Sequence, residues 1–336
     1  MEKILSVSVA AYNVESTLRE TLDAFVASGV LDDLDVMIVD DGSSDGTAKL
    51  AQEYVDRYPD TFRLISKENG GWGSTVNAGI QNARGKYFRQ VDGDDYYNPH
   101  NMPAYIQSLR DCETDMVITP YVSYDDATGE ILSHENCNPG CELWKWFELK
   151  DIGAFAPFMH SLAVKTECIR DKVQVTEHCF YTDTEFVLKV CNHVRTVAFF
   201  DMEIYCYRRA SVGQSMSLAG MEKHYGEQTI VIDTLLDYMG QEVQRPEVKA
   251  IYDNLLLGTC CWQYLVFMYI EPTSEHKRDL IAYDKMIRER APEYYGRIGS
   301  RVIDMLRKTH FMGYSLVARY KKKKDNRFTE DGRMLW

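Results

Sequence analysis

An α/β fold is predicted, with a mostly parallel sheet sandwiched by helices and then a helical C-terminal extension. Three observations predict it. Strand-like and helix-like segments alternate through the first hundred residues, the pattern of a parallel sheet covered by helices. Acidic and amide residues recur where the strand-like segments stop. From about residue 221 the apolar spacing turns helical, at Ile230, Leu235 and Leu236 and again at Val302, Leu306, Leu316 and Val317.

Ile4 to Ala10 is apolar and β-branched, a first strand. Thr17 to Gly29 reads as a helix, with Thr17 and Glu20 at capping-box spacing and Gly29 as the stop. Val36 to Val39 is a short buried strand ending at Asp40-Asp41; a Gly-Ser-Ser-Asp-Gly turn and a helix through Tyr58-Pro59 follow. Phe62 to Ser66 gives a third strand, Trp72 to Ala83 a third helix, and Lys86 to Val91 a fourth strand ending at Asp92-Gly93-Asp94-Asp95. Beyond about residue 100 the alternation weakens, through an aromatic stretch with Trp144, Trp146 and Phe147 and a strand-like Thr196 to Tyr207. Open parallel sheets bind ligands outside the carboxyl ends of their strands, so Tyr12-Asn13, Asp40-Asp41 and Asp92 to Asp95 should converge.

Composition narrows the function. The 336 residues are 45% hydrophobic and 26% charged, which excludes disordered and disulfide-scaffold chains and allows about two domains. A formal net charge of −13 speaks against a nucleic-acid binder, which needs a basic face to displace counterions. Met1-Glu2-Lys3-Ile4 runs straight into the first strand without a leader pattern, predicting a cytoplasmic start. Nine cysteines, an odd number, predict reduced thiols that mostly fill the core. The apolar run Leu255 to Ile270 is broken by Gly258, Thr259 and Gln263 and falls short of the ~20 residues of a spanning helix, so a buried helix is expected.

Asp92-Gly93-Asp94-Asp95 is the sharpest feature. Carboxylates one residue apart on a strand-end turn present hard oxygen ligands to Mg²⁺ or Mn²⁺, and Gly93 lets the backbone come close. In Asp40-Asp41-Gly42-Ser43-Ser44-Asp45-Gly46-Thr47, Asp45 and Thr47 can satisfy turn amides, whereas Asp41 could accept the imide proton of a uracil or an equivalent base donor.

These segments carry a resemblance. Ala10-Ala11-Tyr12-Asn13 with Glu15 resembles the opening of a family 2 glycosyltransferase, and Ile38 to Ser43 resembles that family's nucleotide segment. Glu68-Asn69-Gly70-Gly71 and Asn77-Ala78-Gly79 resemble its central motif, and Asp92 to Asp95 its Asp-x-Asp. The resemblance implies a GT-A fold, with Ala10, Tyr12, Asn13, Glu15, Asp40 and Asp41 around the nucleotide. It also implies Asp92 at the ribose or metal, Asp94 as metal ligand, and Asp183 as the base that takes the acceptor's proton. Many members carry Glu before that aspartate; here the residue is Thr182, and Glu185 is the second candidate. Asp183 or Thr184 could also cap the following helix, whose N-terminus would favour an ionised carboxylate. Tyr207-Arg208-Arg209 with Gly213-Gln214-Ser215 resembles a motif near the departing diphosphate; the other reading of these arginines is a salt-bridged basic loop.

The expected organisation is a GT-A-like domain over 1–220, with 1–100 binding the nucleotide sugar and 101–220 the acceptor, and a helical region over 221–336. The implied reaction is inverting transfer from a nucleotide diphosphate sugar, with a UDP-sugar favoured, to a saccharide or lipid-linked saccharide. His160 could approach the acceptor or sit in the core. His134, Cys137 and Cys141 lack a second pair at zinc spacing. Phe311 to Tyr320 followed by Lys321 to Lys324 could dock on an anionic bilayer at the inner membrane face, or form a solvated helix end. Two rivals are a nucleotide-sugar-binding protein without catalysis and a nucleotidyltransferase. The latter needs a basic glycine-rich loop after the first strand, where this chain has no Lys or Arg until Arg19.

Overall fold

The computed structural model describes residues 3–153, 155–209, 216–298 and 300–324. The chain separates into two compact units, Met1–Arg208 with Arg245–Ile251, and Arg209–Gln244 with Tyr252–Trp336.

The first unit opens with the expected alternation: β1 (Leu5–Ala11), α1 (Glu15–Ala27), β2 (Leu34–Asp40), α2 (Thr47–Arg57), β3 (Phe62–Ser66), α3 (Trp72–Asn82) and β4 (Tyr87–Asp92). It continues through β5 (Tyr96–Tyr97), α4 (Met102–Asp111), β6 (Met116–Ile118), β7 (Tyr121–Asp125), β8 (Ile131–Glu135), β9 (Trp146–Glu148), β10 (Leu162–Lys165), α5 (Thr166–Ile169), α6 (Asp183–His193), β11 (Thr196–Phe199) and β12 (Tyr205–Arg209). Eight strands form the main sheet, in the order β3-β2-β1-β4-β10-β6-β11-β9. β1 to β4 are mutually parallel where they pair, whereas β10 runs antiparallel to both neighbours and β9 antiparallel to β11. A smaller sheet runs β5-β12-β7-β8.

Strands β1 and β2 are continuous apolar runs because helices cover both faces of the parallel part. Leu5, Val7, Val9 and Val36 to Val39 are wholly buried. The strand-like Thr196 to Tyr207 splits into β11 and β12 of different sheets, with the chain leaving one sheet through Phe200 to Ile204. Arg245 caps the end of α6, its Nη2 donating to the carbonyls of Cys191, Asn192 and Val194 at 3.0, 3.0 and 2.9 Å. A cation there complements the helix dipole and ties residues 245–251 to this unit.

The capping box expected at Thr17 is not formed. α1 starts at Glu15 with Val14 at the N-cap position, because the β2–α2 loop supplies the caps. Val14 N donates to Thr47 Oγ1 at 2.9 Å and Glu15 N to Asp45 Oδ2 at 3.2 Å. Thr17 is thereby released to donate to Gly93 O at 3.0 Å.

The second unit is helical: α7 (Leu218–His224), α8 (Glu227–Glu242), the later part of α9 (Pro246–Tyr269), α10 (Ser274–Arg290), α11 (Pro292–Tyr295), α12 (Arg301–Lys308) and α13 (Tyr314–Lys324). Several of its buried tyrosines are tied down through their hydroxyls. Tyr264 donates to Asp284 at 2.6 Å and Tyr314 to the Phe267 carbonyl at 2.7 Å, while Arg307 pairs with Asp284 at 2.7 Å. A buried carboxylate needs such partners, since an unpaired charge there is strongly destabilising. Among the described residues no helix is long and apolar enough to cross a membrane. All nine cysteines are free, but only Cys179, Cys191, Cys206 and Cys260 are fully buried, fewer than expected.

Candidate active site

Strand register brings the acidic segments together. Ala11 lies opposite Asp40 and Ala10 opposite Asp92, so the ends of β2, β1 and β4 meet at one edge of the sheet. Gly93 N donates to Ala10 O at 2.9 Å. A Cβ at Gly93 would fall 2.8 Å from that oxygen, so only glycine lets the turn close on β1.

Within the turn, Asp92, Asp94 and Asp95 place ligand oxygens within 4.8 Å of one another. Their roles differ. Asp95 is buried with both oxygens engaged: Tyr205 Oη donates to Oδ2 at 2.6 Å and Arg208 N to Oδ1 at 2.7 Å. Asp92 accepts the Trp72 indole N–H at 2.6 Å. Desolvation, then repulsion from Asp94 and Asp183, pushes the Asp92 carboxyl up to about 7 against the pull of Trp72. Burial, Asp94 and Asp92 also hold the Asp95 carboxyl well above the usual range. Crowded carboxylates of this kind are the hard-oxygen donor set that a divalent cation neutralises, so the residues fit Mg²⁺ or Mn²⁺. With Asp95 committed to Tyr205 and Arg208, Asp92 and Asp94 are the pair that could hold the ion.

Asp41, expected at the base, also organises the central motif. It is buried, and its Oδ1 accepts from Lys67 Nζ at 2.7 Å, Gly70 N at 2.9 Å and Ser74 Oγ at 3.1 Å. Oδ2 has one partner among the described residues, Gly71 N at 2.8 Å, and so keeps capacity for another donor. Asp40 Oδ1 accepts Ser43 N at 3.0 Å. Downstream, Gly73 leaves room for Thr176 O, which a Cβ would meet at 2.1 Å. Asn77 takes Val175 N at 2.8 Å and returns a hydrogen bond to Val175 O at 2.9 Å. His178 N donates to Gly70 O at 2.5 Å. The central motif therefore grips residues 175–178, five positions and more before Asp183.

Tyr12 is 53% exposed at the mouth of this edge. Asn13, at φ 53°, donates through its N–H to Ser43 Oγ at 3.0 Å and accepts Ser44 N at 2.8 Å, joining the two nucleotide-side loops. Glu15 Oε2 accepts Gly46 N at 2.9 Å, and Asp45 Oδ1 accepts Thr47 N at 3.0 Å, the turn role expected of Asp45.

Asp183 is the first residue of α6, after Thr182 at the N-cap position; neither Asp183 nor Thr184 caps the helix. Burial raises the Asp183 carboxyl and outweighs the helix-end N–H groups of Thr184 and Asp183, which lower it as expected. A raised pKa makes a better proton acceptor. Glu185, the second candidate, is fully buried and committed elsewhere, paired with Lys189 at 2.7 Å and accepting Thr176 Oγ1 at 3.0 Å.

The Arg208 guanidinium pairs with Glu20 and Asp126, and its Nε donates to Asp94 O at 2.6 Å. These contacts tie it to the acidic turn and match the salt-bridged reading of this residue. Arg209 closes β12, and Gly213-Gln214-Ser215 lies outside the described residues. His160 stacks on Tyr207 at 4.5 Å and meets Tyr205 edge-on at 4.8 Å, one ring from Asp95. His134 pairs with Glu203 rather than with a cysteine cluster. Lys67 and Trp72 were not singled out by the sequence, although each flanks the Gly70-Gly71 motif.

A mostly parallel sheet with flanking helices and an acidic turn at its strand ends defines the GT-A class of α/β folds. Residues 6–162, just under half of the chain, match the family model of Glycosyl transferase family 2. A Bacillus subtilis relative described as a putative glycosyltransferase, EpsH, is 33% identical over 131 residues, 39% of this chain and 37% of its own length. The chain thus spans well under half of that curated relative. Staphylococcus aureus TarS 1–349 in complex with UDP-GlcNAc superposes with a TM-score of 0.67 at 17% identity, covering 98% of this chain and 95% of that one. A Pyrobaculum calidifontis mannosyltransferase, PcManGT, in complex with GDP-Man and Mn²⁺, gives 0.54 at 15% identity over 97% and 88%.

Proposed function

We propose that this chain is an inverting glycosyltransferase that moves a sugar from a nucleotide diphosphate donor, UDP-sugars first, to an acceptor hydroxyl. The observation that carries the reading is the Asp92–Asp94 pair on a strand-end turn, with oxygens within 4.8 Å and Asp183 close enough to raise the Asp92 carboxyl. That TarS and PcManGT share the fold while binding UDP-GlcNAc and GDP-Man supports a nucleotide-sugar donor.

Asp92 and Asp94 would hold Mg²⁺ or Mn²⁺, which supplies charge neutralisation to the departing diphosphate. Ala10, Tyr12, Asn13, Asp40 and Asp41 form the base side, with Tyr12 exposed for stacking and Asp41 Oδ2 retaining acceptor capacity. Asp183 takes the proton of the acceptor hydroxyl as its oxygen bonds to the anomeric carbon. The bond from that carbon to the diphosphate breaks, its electron pair leaves with the phosphate, and attack from the opposite face inverts the centre.

The acceptor is a saccharide or lipid-linked saccharide, in surface polysaccharide or glycolipid synthesis. Peripheral contact with the inner membrane face is supported by Met312, Leu316 and Tyr320, four residues apart and 77%, 77% and 63% exposed beside the lysine run. Within that run Lys322 lies 3.9 Å from Glu271 and Lys321 sits over the Tyr269 ring.

Calorimetric titration of UDP into wild type and Asp94→Ala, with and without Mn²⁺, tests the donor site. Metal-dependent binding that the variant loses is expected; no binding under any condition removes the site as drawn. A screen of UDP-sugars for UDP release then identifies the donor.

A further inference from the structure

On one face of the main sheet's far edge lies a cleft of about 620 Å³ that shares no residue with the acidic turn, the nucleotide-side loops or Asp183. Its floor is β11, where Thr196 and Ala198 alternate onto one face, with Phe200 just beyond the strand's end. One wall is the end of α4 with Asp111 and Glu113. The other carries Trp144 and Trp146 at the edge strand β9.

Both indoles are held open. Trp146 sits opposite Ala198 in the β9–β11 register and is 65% exposed, the small partner leaving the space above it clear. Trp144 is 53% exposed, although one ring face stacks on Phe200 at 4.8 Å and 15°. Its backbone is held at φ 65°, a region costly for an aromatic residue, while its N–H donates to Phe199 O at 2.9 Å. Large apolar rings kept in water at a concave site indicate a ligand surface.

We propose that this cleft binds a neutral oligosaccharide, away from the transfer site. A pyranose presents an apolar C–H face that matches an indole, and a rim of hydroxyls that matches carboxylates and threonine. Glu113 is fixed for such a role by Lys86 at 2.7 Å and Lys165 at 3.1 Å, and Asp111 stands at the α4 end. The chemistry selects against other occupants. A lipid or an apolar protein face would strip water from Asp111, Glu113 and Lys145, whose polar pairs with Gln107, Lys86 and Glu142 lie at the surface, and the centres of protein interfaces are poor in charge. Anionic polymers approach a chain of net charge −13, and Lys145, the cationic residue of the lining, is already paired with Glu142 at 2.7 Å. The proposal does not depend on the transferase reading, since binding here is measured without turnover.

Affinity electrophoresis in native gels cast with a soluble β-glucan, an α-glucan or a galactomannan tests it, using wild type, Trp146→Ala and Trp144→Phe, with Asp94→Ala as a control. At least one polysaccharide is expected to retard wild type and Asp94→Ala equally. Trp146→Ala should then bind about tenfold or more weakly, with an unchanged circular dichroism spectrum. Trp144→Phe, which keeps an aromatic face, should fall between them. Three results overturn the assignment: no polysaccharide retards the wild type, Trp146→Ala is retarded as strongly, or the wild type self-associates through Trp146 on size exclusion.

Discussion

The indole N–H of Trp72 donates to Asp92 Oδ1 at 2.6 Å, joining the first residue of α3 to the last residue of β4. It opposes the desolvation and repulsion that push the Asp92 carboxyl up, so it favours the charged form that a metal needs. Trp72→Phe keeps the ring against Phe186 but removes the donor. The expected result is an unchanged fold and UDP–Mn²⁺ binding weakened about tenfold, or ~1.4 kcal/mol, by calorimetry.

The same carboxyl sets a pH dependence. A metal held by Asp92 would need its ionised form, and a pKa of about 7 means a proton would compete below neutrality. Mn²⁺ affinity should therefore climb as pH rises toward 7 and level above it, with a proton released on binding. In metal-free protein the sign is opposite. Because the folded pKa lies above the unfolded one of about 4, protonated Asp92 favours folding and thermal stability falls as pH rises from about 4 to 7. A flat Mn²⁺ affinity from pH 5.5 to 8 would remove Asp92 from the ligand set.

Asp183 and Glu185, two residues apart, should give opposite phenotypes. Asp183→Asn is expected to lower turnover by about 10²-fold or more while leaving UDP binding intact. Turnover equal to wild type would exclude Asp183 as base. Glu185→Gln breaks the buried pair with Lys189, and should cost about 3 kcal/mol in urea unfolding.

Arg208 is expected to act through the turn it supports. Arg208→Met leaves Glu20 and Asp126 without their cation and Asp94 O without its donor. Stability should drop by about 1–2 kcal/mol, since Glu20 and Asp126 reach solvent, and Mn²⁺ affinity should fall with it. Loss of turnover with unchanged stability and metal affinity would instead return Arg208 to the diphosphate.

For the exposed ridge, Leu316→Glu should reduce co-sedimentation with vesicles containing anionic lipid several-fold, and raised salt should do the same. Equal sedimentation of variant and wild type would confine the ridge to another role.

Local pattern was enough for much of this protein. The β1-to-β4 alternation, the acidic residues at three strand ends and the need for glycine at position 93 all follow from short-range rules: side-chain periodicity, turn chemistry and the absence of a Cβ. Convergence of Ala10, Asp40 and Asp92 followed from parallel topology. Tertiary structure alone decided which carboxylates are available. Asp95 is engaged by Tyr205, and Arg208 by Glu20 and Asp126, partners 82 to 188 residues away in sequence, and the Trp72–Asp92 contact likewise spans two elements. Such pairings, and the burial that raises Asp92 and Asp183, depend on which groups lose water together. That is a property of packing in three dimensions, and no spacing along the chain encodes it.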